Sequence, residues 1–192
     1  MKKILLINGH PNKDSFNAAL ANAYKEGAIE AGAELKEIVI AELSFNVSLQ
    51  FGYQKQQVME ACLIDASEKI TWADHLVWIH PVWWGGLPAQ LKGFIDRVFL
   101  PGFAFKYREN SVWWDKLLKG KTAHIITTLD QPSWYYSLFY GKPSVNQLKK
   151  STLEFCGIAP VKVTYIGIVK KSTKDQRNNW IEKIKKHGTA LA

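Results

Sequence analysis

His75 to Phe99 reads HLVWIHPVWWGGLPAQLKGFIDRVF. Its first part, His75 to Val82, is a nearly unbroken apolar run, which is what a strand buried on both faces requires. Its last part, Leu87 to Phe99, reads as a helix, and Gly85-Gly86 between them marks a turn. One buried strand followed by one helix is half of a βαβ unit, so the fold depends on whether the pair recurs on both sides. Upstream, Lys3 to Asn8 (KILLIN) is a short apolar strand bounded by Gly9 and Pro11, and Ser15 to Ala31 places Phe16, Leu20, Ala23, Tyr24 and Ala28 at helical spacing. Leu35 to Leu43 then reads as a strand and Val58 to Trp72 as a helix. Downstream, Thr122 to Leu129 is a further apolar strand, and Val145 to Cys156 is a helix closed by Gly157, a good residue for the left-handed position after a helix. Val161 to Val169 and Lys174 to Lys186 supply the last strand and helix.

Five strands alternating with five helices imply an α/β fold with a parallel sheet covered on both faces, because parallel strands need long, right-handed crossovers. For five strands the flavodoxin-like order 2-1-3-4-5, a three-layer α/β/α sandwich, is the natural arrangement. The chain has 192 residues with no repeat, low-complexity stretch or Pro/Gly/Ser linker, so residues 1–192 are expected to form a single domain.

Composition narrows the function. With 47% hydrophobic and 22% charged residues the chain can bury a real core without disulfide or metal staples. Cys62 and Cys156 stand alone, with no CxxC, as expected of reduced core thiols in a cytoplasmic protein. Only four apolar residues separate Lys3 from Asn8, too few for a signal-peptide core of about seven. No run reaches the roughly 18 apolar residues of a membrane span. The net charge of +8 is compatible with an anionic ligand, but no helix-turn-helix, zinc-finger or RNP pattern accompanies it, and no nucleic-acid partner is expected.

In such a sheet, ligands sit beyond the carboxyl ends of the strands. Three loops therefore matter. Asn8 to Asn17 (NGHPNKDSFN) brings a glycine, a Ser15 hydroxyl and an Asn17 amide to the opening of a helix, where unpaired N–H groups attract phosphate. The same residues also suit an ordinary capped turn. His80 to Pro88 sets Trp83-Trp84 before two glycines, a pattern suited to a flat heteroaromatic ring or, otherwise, to packing under a loop or subunit. Thr127 to Gly141 holds aromatics that cannot all face one core, with hydroxyls on Thr127, Thr128, Tyr135, Tyr136 and Tyr140. GxGxxG, P-loop, HExxH and GxSxG patterns are all missing. The five histidines lack metal-ligand spacing, so no metal is expected, and His75, His80 and His124 read as core residues. Asp96 and Arg97 read as packing or ion-pair residues.

The combination resembles the NAD(P)H:quinone oxidoreductase family, the flavodoxin-like flavoenzymes that include DT-diaphorase. The resemblance is carried by GHPNKDSFN, by WADHLVWIHPVWWGGLPAQLKGFIDRVF, by Phe103 to Phe105, by Thr127-Thr128 and by Phe155 to Gly157. It implies a flavin, FMN or FAD, with His10, Ser15, Phe16 and Asn17 on its phosphate side. Pro81, Val82, Trp83, Trp84 and Gly85 would line the ring, and Thr127 and Thr128 its other edge. The family continues that Thr pair with two glycines, where Leu129 and Asp130 stand here. Tyr136 matches a hydroxyl that steadies the reduced flavin, and Tyr140 stands near the place of a catalytic histidine in the mammalian enzymes. The implied reaction is a ping-pong transfer of hydride from NADH or NADPH to a quinone-like acceptor. An azo- or nitroreductase differs from this only in acceptor, and a regulatory flavoprotein docked on a membrane transporter is the rival of another class. A homodimer is also implied, using Trp113, Trp114 and the third loop.

Overall fold

The computed structural model describes residues 1–55 and 57–191. In chain order the elements are β1 (Lys3–Asn8), α1 (Phe16–Glu30), β2 (Glu34–Val39), α2 (Ala61–Trp72), β3 (His75–Pro81), α3 (Ala89–Val98), β4 (Phe105–Tyr107) and β5 (Trp114–Lys116). They continue with β6 (Thr122–Leu129), α4 (Ser133–Leu138), α5 (Pro143–Leu148), β7 (Val161–Gly167) and α6 (Lys174–Leu191). The main sheet runs β2-β1-β3-β6-β7 with every pairing parallel, which is the expected 2-1-3-4-5 order.

Alternate residues of each central strand feed opposite layers, which explains why these strands carry no polar alternation. Leu5 and Ile7 of β1, Leu76 and Trp78 of β3 and Ile125 of β6 pack against Leu63, Ile70, Leu91 and Phe94 of α2 and α3. Ile4, Leu6, Val77, Ile79 and Ile126 face the other way, onto Leu20, Tyr24 and Ala28 of α1 and Ile184 of α6. The helices α1 and α6 meet through glycines: a Cβ on Gly27 would collide with the Lys185 carbonyl, and one on Gly188 with the Tyr24 carbonyl.

Several boundaries differ from the sequence reading. The second strand stops at Val39, and Ile40–Glu42 turn into a short 3-10 helix. The helix expected from Val58 begins at Ala61, because the stretch before it is held out by Arg97. That side chain is buried and donates to Asn46 O at 2.6 Å, Val58 O at 2.9 Å and Glu60 Oε2 at 2.7 Å. Asp96 pairs separately with Lys92, so both residues have the structural roles expected of them. The helix read as Val145 to Cys156 starts at Pro143 and widens into π-type turns over Lys149–Glu154. The antiparallel pair β4–β5 and the six-residue α4 are not evident in the sequence, since elements this short leave no periodicity to read.

The three strand histidines are buried, each with one partner. His75 Nδ1 meets Thr122 Oγ1 at 2.6 Å, His124 Nε2 meets Thr164 Oγ1 at 2.8 Å, and His80 Nδ1 donates to Pro81 O at 3.0 Å. Burial pushes His75 and His80 down to about 4 and His124 to about 3, so all three are neutral near pH 7. No helix among the described residues is long and apolar enough to cross a membrane.

Candidate active site

The carboxyl ends of the central strands lie level with one another: Asn8 of β1 pairs with Ile79 of β3, Pro81 with Thr128 of β6, and Leu129 with Gly167 of β7. The three loops singled out from sequence therefore emerge side by side. Leaving β1, the chain is shaped by its own side chains. Asn8 Oδ1 accepts from His10 N at 3.2 Å, His10 Nδ1 from Asn12 N at 2.9 Å, and Asn12 Oδ1 from Asp14 N at 2.9 Å. Ser15 then caps α1, its Oγ accepting from Ala18 N at 3.3 Å. Accepting at Nδ1 leaves the proton of neutral His10 on Nε2, and burial holds its pKa below the usual value.

After β3 the chain makes a tight two-residue turn. Trp83 N donates to Gly86 O at 3.1 Å and Gly86 N to Trp83 O at 2.9 Å, with φ of 51° at Trp84 and 76° at Gly85. A positive φ costs glycine little but strains a tryptophan by about 1–3 kcal/mol. The strain sets the Trp84 indole fully in solvent at the mouth of the site, while Trp83 is half-exposed with His10 edge-on to it at 5.5 Å. The turn is fastened from behind. The Gly85 carbonyl accepts from Tyr136 Oη at 3.0 Å and from Ser144 N at 3.2 Å, and Tyr136 Oη lies 2.8 Å from Ser144 Oγ.

On β6, Thr128 Oγ1 donates to Asn17 Oδ1 at 3.1 Å, which leaves the buried Asn17 Nδ2 without a partner. Thr127 Oγ1 and His80 Nε2 are likewise buried and unpartnered. At the end of β6, Leu129 O accepts from Val169 N at 2.9 Å, and just past it Asp130 Oδ1 accepts from Lys170 N at 2.7 Å.

Two adjoining cavities open here, of about 190 and 150 Å³, sharing Val82, Leu129 and Asp130 as walls. Of the residues predicted from sequence, His10, Pro81, Val82, Trp83 and Thr128 line one, and Val82, Trp84, Gly85 and Tyr140 the other. Ser15 and Asn17 stand at the start of α1 beside Thr128. Three others are near but not on the walls. The Phe16 ring turns toward Trp180 of α6, Thr127 is buried, and Tyr136 is wholly buried behind the tryptophan turn. The sequence reading missed Val169 and Ser144, and it took Leu129 and Asp130 only as departures from a pattern. Val169 lies two residues past β7, where its N–H returns to the Leu129 carbonyl, and nothing local marks either it or Ser144.

The residues fit a flavin. An unpartnered buried amide at Asn17 and the open N–H groups of the first turn of α1 suit a phosphate or a polyol chain. The indoles, Pro81 and Val82 offer apolar walls to a flat ring. Another cavity, of about 270 Å³, lies between α3 and the wide turns after α5. Burial pushes the Cys156 thiol on its wall up to about 12, which keeps it protonated near neutral pH.

A family model for the flavodoxin-like fold matches residues 2–188. The chain belongs to that family. Among flavodoxin-like relatives, an uncharacterised NAD(P)H oxidoreductase of Haemophilus influenzae is 30% identical over 184 residues, covering 93% of this chain and 90% of its own. Human ribosyldihydronicotinamide dehydrogenase [quinone] is 29% identical, over 81% of this chain and 77% of its own. A Streptococcus mutans protein of known structure superposes with a TM-score of 0.84 at 33% identity, covering 98% of this chain and 99% of its own. None of these names refers to a membrane transporter, and that expectation gains no support.

Proposed function

We propose that the protein is a flavin-dependent NAD(P)H oxidoreductase that reduces quinones or similar aromatic acceptors in a ping-pong cycle. One observation carries the reading: an indole-walled slot at the carboxyl ends of β3 and β6 with an orphaned amide and an open helix start beside it. A flavin bound there supplies the hydride chemistry by which NAD(P)H, a proton and a quinone become NAD(P)⁺ and a hydroquinone.

The chain's own work is alignment and screening. Asn17 and the first N–H groups of α1 hold the phosphate side, and Thr128 fixes the Asn17 amide through its oxygen, so that the unpartnered Nδ2 remains to donate. The tryptophan turn offers backbone N–H and C=O groups to the polar edge of the ring. Tyr136 and Ser144 hold that turn still, and Tyr140 supplies a hydroxyl on the slot wall. Tyr140 cannot take up a positive charge as a histidine would, so protons reach the acceptor from water or from neutral hydroxyls. Exposed aromatics on and after α4, with Trp113, support a homodimer. Trp114 contributes inside the chain instead, stacked on Phe155 at 4.1 Å. A cytoplasmic site, where NAD(P)H is at hand and the two thiols stay reduced, goes with this reading.

The test is direct. Apoprotein titrated with FMN and with FAD should quench the fluorescence of one of them stoichiometrically, and the loaded protein should turn over menadione with parallel double-reciprocal lines. Turnover of azo or nitro compounds in preference to quinones would move the acceptor class. No uptake of either flavin would overturn the assignment.

A further inference from the structure

The protein carries a net charge of +8, yet the slot does not. Among the residues lining its two cavities, Asp130 is the one formally charged side chain, and it lies on the wall the cavities share. Its placement is fixed from two sides: Lys170 N donates to Oδ1 at 2.7 Å, and the preceding Leu129 carbonyl is tied to Val169 N at 2.9 Å. A backbone N–H is a neutral donor and leaves the charge in place. Among the described residues no lysine or arginine forms an ion pair with it. The side chain is otherwise exposed.

From this geometry we infer that Asp130 determines acceptor class: the slot takes neutral and cationic aromatic acceptors and turns away anionic ones such as sulfonated or carboxylated quinones and dyes. The inference rests on the functional reading above and deepens it. The global positive charge speeds arrival of any anion, but it acts over distances that salt screens, whereas Asp130 acts on a ligand already in contact. A unit charge about 6 Å from another, at the effective dielectric of a half-open site, changes affinity on the order of tenfold.

The reaction itself is unaltered: NAD(P)H gives up hydride and is oxidised, and the acceptor gains that hydride and a solvent proton. The experiment compares flavin-loaded wild type with Asp130→Asn, which keeps an oxygen for the Lys170 N–H and removes the charge. Steady-state kcat/KM is measured with menadione and with 1,2-naphthoquinone-4-sulfonate, and binding of the sulfonate to the oxidised protein is titrated by the change in flavin absorbance. The neutral-to-anionic ratio of kcat/KM should fall about tenfold in Asp130→Asn, and the sulfonate Kd should tighten by a similar factor. In wild type the discrimination should persist as salt is raised, because salt removes the long-range attraction of anions and leaves the contact charge. Asp130→Ser, which also removes the charge, should reproduce both shifts if charge is the cause. A ratio and a Kd that stay within twofold of wild type in both variants would overturn the inference while leaving the oxidoreductase standing. Failure of wild type to hold a flavin would remove both.

Discussion

A phenol has one proton to give, and at Tyr136 it goes either to the Gly85 carbonyl or to Ser144 Oγ, while the ring is wholly buried. The hydroxyl also accepts from Ser144 N at 3.0 Å, so it joins the tryptophan turn to the start of α5. Tyr136→Phe strands a buried donor and weakens the hold on Gly85, a loss of about 1–3 kcal/mol. In a chain of this size that lowers the thermal midpoint by roughly 2–4 °C per kcal/mol, readable by calorimetry. The same variant should slow flavin reduction by NAD(P)H in stopped-flow traces; an unchanged rate would confine the hydroxyl to its structural role. Tyr136 was legible in the sequence through its setting before Ser-Leu. Ser144 was not, because its importance comes from contact with Gly85, far away along the chain, and its own neighbourhood is an ordinary helix start.

Elements were legible in proportion to their length and the regularity of their burial. β1, β3 and β6 announced themselves because both of their faces are covered, leaving continuous apolar runs. β4 and β5 are three residues each, and α4 presents aromatics to solvent rather than an apolar stripe to the core. The irregular stretch before α2 is tied down from α3 by Arg97 and by Gln90, whose amide donates to Ile40 O and Leu43 O, and Arg97→Met is expected to cost about 3 kcal/mol by taking the guanidinium from Glu60 and two carbonyls. Urea titration should show a lower midpoint with an unchanged slope. On the opposite layer, Gly188→Ala sets a methyl against the Tyr24 backbone and must push α6 away from α1. The expected loss is about 1–3 kcal/mol. Because α1 also carries Ser15 and Asn17, flavin affinity should weaken along with stability, as fluorescence titration would detect.

At the scale of the whole molecule, the +8 charge gave no hint of the one acidic group at the slot, since composition averages over surfaces that a ligand never meets. The three strand histidines impose a common pH dependence. Folded, they titrate at about 4, 4 and 3; unfolded, they titrate near 6.5. Below pH 6.5 the unfolded chain therefore binds more protons than the folded one, and stability falls as the medium is acidified toward the folded pKa values. Thermal midpoints measured from pH 7.5 to pH 4.5 should decline steadily, and replacing His124 with Gln should flatten the curve. The left-handed turn that holds one indole entirely in water has a practical meaning as well. Trp84 should emit at the red end of the protein's intrinsic fluorescence, and a flat, strongly absorbing ring arriving beside it should extinguish that component first. The molecule thus carries its own optical gauge of occupancy, usable without any added label.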